Sequence, residues 1–271
     1  MSRRWHHWRP RRHHRKYSSA WQPSGVEHLN PTIEKLKQQL EHTPEHEQAA
    51  LLEKLLVLQS PRAALAQAQM DAHPHGYHDR EKRLYELIDF NDTFVSTVLA
   101  EPHQVLVGFS DRMWRVMTNF CQVQNTPMFL RDQYDAIVRG LAREIAVYLG
   151  AKHEGLEAEM TSRTEDAFGI DMVIRDPASG KYANIDVKTP SAFRYRLEDL
   201  VKEKRITNEQ LLRADQDDFV TVMNHRNREN VPVTILCVRP EDVGDIVDFQ
   251  FQNTKRLGEL LRHVIAVNGQ K

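Results

Sequence analysis

The chain holds only two cysteines, Cys121 and Cys237, in 271 residues. Two thiols so far apart make neither a disulfide framework nor a thiolate-rich zinc site, and their scarcity fits a reducing compartment. No apolar run approaches the ~18 residues of a membrane span, and the charged N-terminus lacks the apolar segment that a secretory leader carries. A cytoplasmic protein without membrane attachment is expected. Net charge is scarce as well: 37 Lys plus Arg against 38 Asp plus Glu leave −1, which argues against whole-molecule attraction to a polyanion. No glycine-rich phosphate loop, dinucleotide fingerprint or Ser-His-Asp signature occurs, so ATP hydrolysis and nicotinamide chemistry have no visible site.

The balanced total hides an asymmetry. Residues 1–16, MSRRWHHWRPRRHHRK, hold seven cations and no acid, so the remainder carries 30 cations against 38 acids, a net of −8. Residues 1–30 combine this basic block with Ser, Pro and Gly and have no apolar period, which predicts a flexible basic tail. Arg3, Arg4, Arg9, Arg11 and Arg12, interleaved with Trp5 and Trp8, are candidate contacts to nucleic acid. Guanidinium groups neutralise phosphates and indoles stack on bases without needing a fold. A protein-binding arm or a plain disordered extension would have the same composition.

Residues 31–125 read as an all-helical region. Ile33, Leu36 and Leu40 repeat at three-to-four spacing, as do Leu51, Leu55 and Leu58, and Pro61 is expected to interrupt the second run. Leu84, Leu87, Ile88, Phe94, Val95 and Val98 keep a helical period up to Pro102. Apolar surface left open on this last helix would suit a protein partner or a second copy of the chain. His73, His75 and His78 have the density of a metal site, but no cysteine stands close by in sequence.

Residues 126–271 read differently. A helix is predicted over 131–149, with Gly150 placed to stop it. Strands follow at 156–163, 169–175 and 182–187, the last two joined by DPASGK, a turn sequence. A charged helix over 197–214, a continuous β-branched strand over 231–238 and a C-terminal helix over 245–263 complete an α/β pattern.

Asp171 lies early in the second strand, and Asp186 and Lys188 end the third. Strand residues two apart share a face, so Asp186 and Lys188 stand side by side while Val187 turns away. Antiparallel pairing through the DPASGK turn would bring Asp171 to the same sheet end and place two carboxylates within reach of one Mg²⁺ or Mn²⁺ ion. Glu144 lies about 80° from the centre of its helix's apolar stripe on a wheel of 100° per residue. A carboxylate there needs solvent or a partner, and a metal site at the sheet end would be one.

This order of elements, with Glu144 in REIAVYLG, Asp171 in FGIDMVI and Asp186 and Lys188 in NIDVKTP, resembles the PD-(D/E)xK nuclease superfamily over about residues 131–238. Ile170 stands where the family's variable proline would precede Asp171. The resemblance implies a restriction-endonuclease-like αβββαβ core and Mg²⁺-dependent (or Mn²⁺-dependent) phosphodiester hydrolysis leaving a 5′-phosphate. DNA is expected as substrate in preference to RNA. Asp171, Asp186 and the Val187 carbonyl would hold the ion, Glu144 would assist directly or through water, and Lys188 would orient the attacking water or stabilise charge. Arg194, Arg196 and Lys202, on the following helix, are candidate phosphate contacts, although interleaved acids also suit a solvated face. The contrasting expectation is a non-catalytic nucleic-acid-binding or assembly protein that keeps the fold.

Overall fold

The computed structural model describes residues 25–72, 80–161, 169–226 and 229–270. Arg3, Arg4, Arg9, Arg11 and Arg12 of the basic tail, and the histidines at 73, 75 and 78, lie outside the described residues. The protein is α/β: a helical N-terminal half, then a five-stranded mixed sheet with interspersed helices. Among the described residues no helix is long and apolar enough to cross a membrane.

Helix α1 (Asn30–His42) starts with Pro31 in its first turn and buries Ile33 and Leu36 against Leu55 and Leu58 of α2 (Ala49–Ala72). Contrary to the sequence expectation, α2 runs straight through Pro61. The proline has no N–H for the carbonyl of Val57 four residues back, but the Ser60 hydroxyl donates to that carbonyl at 2.8 Å and replaces the lost bond. Helices α3 (Arg80–Ala100), α4 (His103–Leu106) and α5 (Phe109–Gln124) follow. Phe90, Phe94 and Val98 of α3 are buried in a core shared with Phe109, Met113 and Met117 of α5, so this part of α3 has no open apolar face.

Helix α6 (Arg131–His153) belongs to two cores. Tyr134, Val138, Leu141 and Ile145 complete the helical core, whereas Ala146, Val147 and Ala151 pack on the sheet. Gly150 does not stop this helix. It lies inside it, where an added Cβ would come within 2.5 Å of Leu257 in α10 (Thr254–Asn268), so glycine here permits close helix approach.

The sheet contains β1 (Glu157–Met160), β2 (Met172–Arg175), β3 (Tyr182–Lys188), β4 (Phe219–Arg226) and β5 (Glu229–Cys237), in the spatial order β1-β2-β3-β5-β4. The first three form an antiparallel meander and β5 runs parallel to β3. The DPASGK turn forms as expected: Asp176 accepts the Ala178 and Ser179 N–H groups, and Gly180 takes the left-handed conformation. Strand β4, antiparallel to β5, has no counterpart among the sequence expectations. The expected helix over 197–214 is two, α7 (Pro190–Lys202) and α8 (Asn208–Asp217), because Thr207 and Gln210 form a capping box that starts the second. After α9 (Pro240–Val243), a hairpin of β6 (Ile246–Val247) and β7 (Gln250–Phe251) occupies the start of the expected C-terminal helix.

Strand alternation sorts β3 into two layers. Ala183, Ile185 and Val187 join the α6 and α10 side. The opposite layer is built on Phe193, Leu197 and Leu200 of α7 with Val220, Ile235 and Cys237. Asp186 and Lys188 therefore project toward the α7 layer, at the end of β3 where its partner β2 has run out.

Candidate functional site

Asp171 precedes the first residue of β2, and its backbone continues the ladder. Its N–H donates to Ile185 O at 2.9 Å, and its carbonyl accepts the Thr161 N–H at 3.1 Å. One step further the ladder has no strand residue to offer. There the Asp171 side chain takes over: Oδ2 accepts the Val187 N–H at 2.6 Å. An extended residue directs its N–H and C=O toward the same neighbour, so the Val187 carbonyl faces this carboxyl edge too.

Asp186, two residues before Lys188, is hydrogen-bonded to the Lys188 ammonium. Asp171 and Asp186 are only 8% and 6% exposed. Burial raises the Asp171 carboxyl well above its ordinary range, and the charges of Glu144 and Asp186 push the same way, against the pull of Lys188. Burial also raises Asp186, opposed by Lys188, by a hydrogen bond from Asp171 and by the charge of Arg196. Burial draws the Lys188 ammonium down, but Asp171, Asp186 and Glu144 outweigh it and hold that group above its ordinary value.

Four residues from three parts of the fold thus act on one another at one sheet end: Glu144 of α6, Asp171 before β2, and Asp186 and Lys188 of β3. Glu144 reaches the pair through its charge. Among the described residues no three His, Cys, Asp or Glu side chains are grouped as ligands for one ion. The oxygens here that could hold an ion are those of two carboxylates and a backbone carbonyl. That set suits Mg²⁺, which keeps several waters and takes one or two carboxylates together with substrate phosphate rather than a complete protein cage. A hard divalent cation would also relieve the repulsion between two buried acids.

The basic residues of α7 separate. Arg196 acts on Asp186. Lys202 is paired with Asp199 at 3.2 Å, with its ammonium 6.0 Å from the Tyr195 ring centre, and Arg194 is exposed. Three further neighbours have no counterpart among the sequence expectations. Arg143, next to Glu144, donates to Val238 O at 2.7 Å and ties α6 to the end of β5. Gly169 has φ +73°, and a Cβ there would sit 3.8 Å from Asp186 Oδ2 and 4.0 Å from Asn224 Nδ2. Asn224 in turn is held through its Oδ1 by Arg205 at 2.5 Å. A glycine three residues before a strand is a visible signal for a left-handed turn, whereas Arg143 and Asn224 carry no local one.

No protein-family model matches this chain, and no curated protein or solved structure does.

Proposed function

We propose that this protein is a Mg²⁺-dependent (or Mn²⁺-dependent) nuclease with a restriction-endonuclease-like core, hydrolysing phosphodiester bonds of DNA in preference to RNA. The observation that carries the reading is the contact of two buried carboxyls, Asp171 and Asp186, with Lys188 bonded to the second and Glu144 acting on the first. Asp171, Asp186 and the Val187 carbonyl would hold the ion. When bound, such an ion polarises the phosphate and lowers the pKa of a coordinated water.

The remaining work falls to this chain's own groups. Lys188 stays an ammonium at neutral pH, because the acids around it raise its pKa. Its role is therefore electrostatic: it orients the attacking water and offsets the extra negative charge that builds on the phosphate during attack. Glu144 adds negative potential that favours a cation over a proton between the aspartates. Arg196, whose charge acts on Asp186 and which pairs with Glu203 at 3.4 Å, would be a phosphate contact. The basic tail, with Arg3, Arg4, Arg9, Arg11 and Arg12, adds sequence-independent affinity.

A second reading has its own support. Asp171 caps the Val187 N–H and Asp186 pairs with Lys188, which would be reason enough for these side chains in a non-catalytic nucleic-acid-binding or assembly protein. Purified protein assayed on linear, nicked, branched and single-stranded DNA and on RNA, with and without Mg²⁺, separates the two. The nuclease reading expects Mg²⁺-dependent products with 5′-phosphates, lost in Asp186→Asn and Lys188→Gln. Binding without cleavage of any of these substrates would favour the second reading. Cleavage that persists in both variants would move the active site elsewhere.

A further inference from the structure

A cleft of about 760 Å³ opens between α6 and the β6–β7 hairpin. Arg143 and Thr189, which line it, are the sequence neighbours of Glu144 and Lys188, although none of the four site residues lines the cleft itself. We propose that this cleft holds a single-stranded stretch of nucleic acid leading to the Asp171–Asp186 site, with phosphates against α6 and base edges toward the hairpin. The proposal rests on the nuclease reading for the fate of the strand, but not for its binding.

The two walls differ in chemistry. On α6, Arg139 and Arg143 lie one turn apart and both line the cleft. Arg139 donates Nε to Asp135 O on its own helix. Arg143 spends Nη1 on Val238 O and its Nε is buried, which leaves Nη2 as its donor toward a ligand. These cations suit phosphate oxygens. The hairpin side presents Asp245 and Asp248, the latter already accepting the Gly108 N–H at 3.2 Å through Oδ1, as acceptors for the ring and exocyclic N–H groups that unpaired bases expose. Asp111, the third acid at the cleft, is already neutralised by Arg131 at 2.7 Å. A wall of cations facing a wall of acceptors fits a strand with its bases unpaired better than it fits phosphates alone.

Gly140 supports the same path. It sits in the interior of α6, one turn before Glu144, where glycine weakens a helix relative to alanine. Among the described residues nothing beyond its own stretch of helix lies within 4 Å of where its Cβ would be, so packing does not require glycine there. Close passage of a ligand does. Size decides between strand and duplex: the volume falls in the range of small-ligand pockets, roughly 300–1,000 Å³, enough for a nucleotide or two. A duplex, whose major groove alone is about 12 Å wide, would not enter.

The test uses the full chain in EDTA with a labelled single-stranded oligonucleotide and the matching duplex. With p-benzoylphenylalanine placed at Ala136, which lines the cleft, or at Val123, 72% exposed and about 18 Å along α5 from its cleft-lining end, ultraviolet crosslinking to the single strand is expected at Ala136 only. Gly140→Ala should weaken single-strand binding a few-fold while raising the melting temperature, and Gly140→Phe should weaken it about tenfold. Equal crosslinking at both positions, crosslinking only to the duplex, or unchanged affinity in Gly140→Phe would overturn the proposal. Crosslinking at Ala136 without Mg²⁺-dependent cleavage would uphold the cleft and sink the nuclease reading. Cleavage without that crosslink would do the reverse.

Discussion

The carboxyl of Asp171 takes the place of a strand residue beside Val187, accepting its backbone N–H at 2.6 Å where β2 no longer reaches. One side chain thus completes the ladder and supplies a charge that its buried setting resists.

Those two roles separate by substitution. Asparagine keeps an acceptor for the Val187 N–H and removes the buried charge, so Asp171→Asn should melt higher than the native protein at neutral pH in EDTA. Asp171→Ala strands the N–H and should lose about 1–3 kcal/mol relative to asparagine. The sign of the pH dependence follows. Folding raises the Asp171 pKa above 3.8, so between 3.8 and the raised value the native chain keeps a proton that the unfolded chain has lost. Stability from this group is full below 3.8 and declines as pH rises through that window. Mg²⁺ should restore it at neutral pH, by about 2.7 kcal/mol at a hundred times its Kd. Thermal melts across pH with and without Mg²⁺ check this; equal losses in Asn and Ala would show that the charge carries no penalty.

Lys188 supplies a charge rather than a proton-transfer site. Lys188→Gln should lower kcat about 10²- to 10³-fold, the scale of losing one donor to a developing oxyanion. The rate of the native protein should not fall on account of this group below its ordinary 10.5, because its neighbours raise its pKa. A basic limb below that value which vanishes in Lys188→Arg would make it a titrating base instead.

Deleting residues 1–16 removes seven cations. Affinity for any oligonucleotide should drop, and the slope of log K against log salt should become shallower by roughly 0.7–0.9 for each phosphate that the tail neutralises. Cleavage at saturating substrate should be unchanged. An identical salt slope in the shortened chain would remove the tail from the binding account.

The β6–β7 turn carries two adjacent non-glycine residues in the left-handed region, Asp248 at φ +47° and Phe249 at φ +67°. Such backbone costs roughly 1–3 kcal/mol per residue and persists only when packing enforces it. Here Phe249 inserts into the helical core against Phe94 and Phe109, with ring centres 6.0 Å apart in each pair. Phe249→Ala should therefore cost about 3–5 kcal/mol, less whatever turn strain it releases. A denaturant melt that moves by under about 1 kcal/mol would show that the hairpin does not pin the helical half.

The site is more legible in the sequence than the layers around it. Asp171, Asp186 and Lys188 can be paired from strand alternation and a turn sequence, both local rules. Pro61 misleads because the Ser60 hydroxyl repairs the backbone bond that proline removes. Gly150 misleads because a glycine that ends a helix and one that lets Leu257 approach look the same in sequence. Phe219–Arg226 alternates as a strand should, with Val220 and Val222 buried, yet it directly follows a charged helix whose pattern masks it. Arg143 and Asn224 reach the site only because α6 crosses the sheet where it does and β4 pairs outside β5, relationships that no local pattern encodes.

Helix α6, 23 residues and about 35 Å at 1.5 Å per residue, has one end embedded among the N-terminal helices and the other on the sheet. It behaves as an axle through both halves, with Glu144 near the point where it changes bearings. The residue whose charge raises Asp171 thus sits on the one helix shared by both cores, between Leu141 of the helical core and Ala146 of the sheet layer.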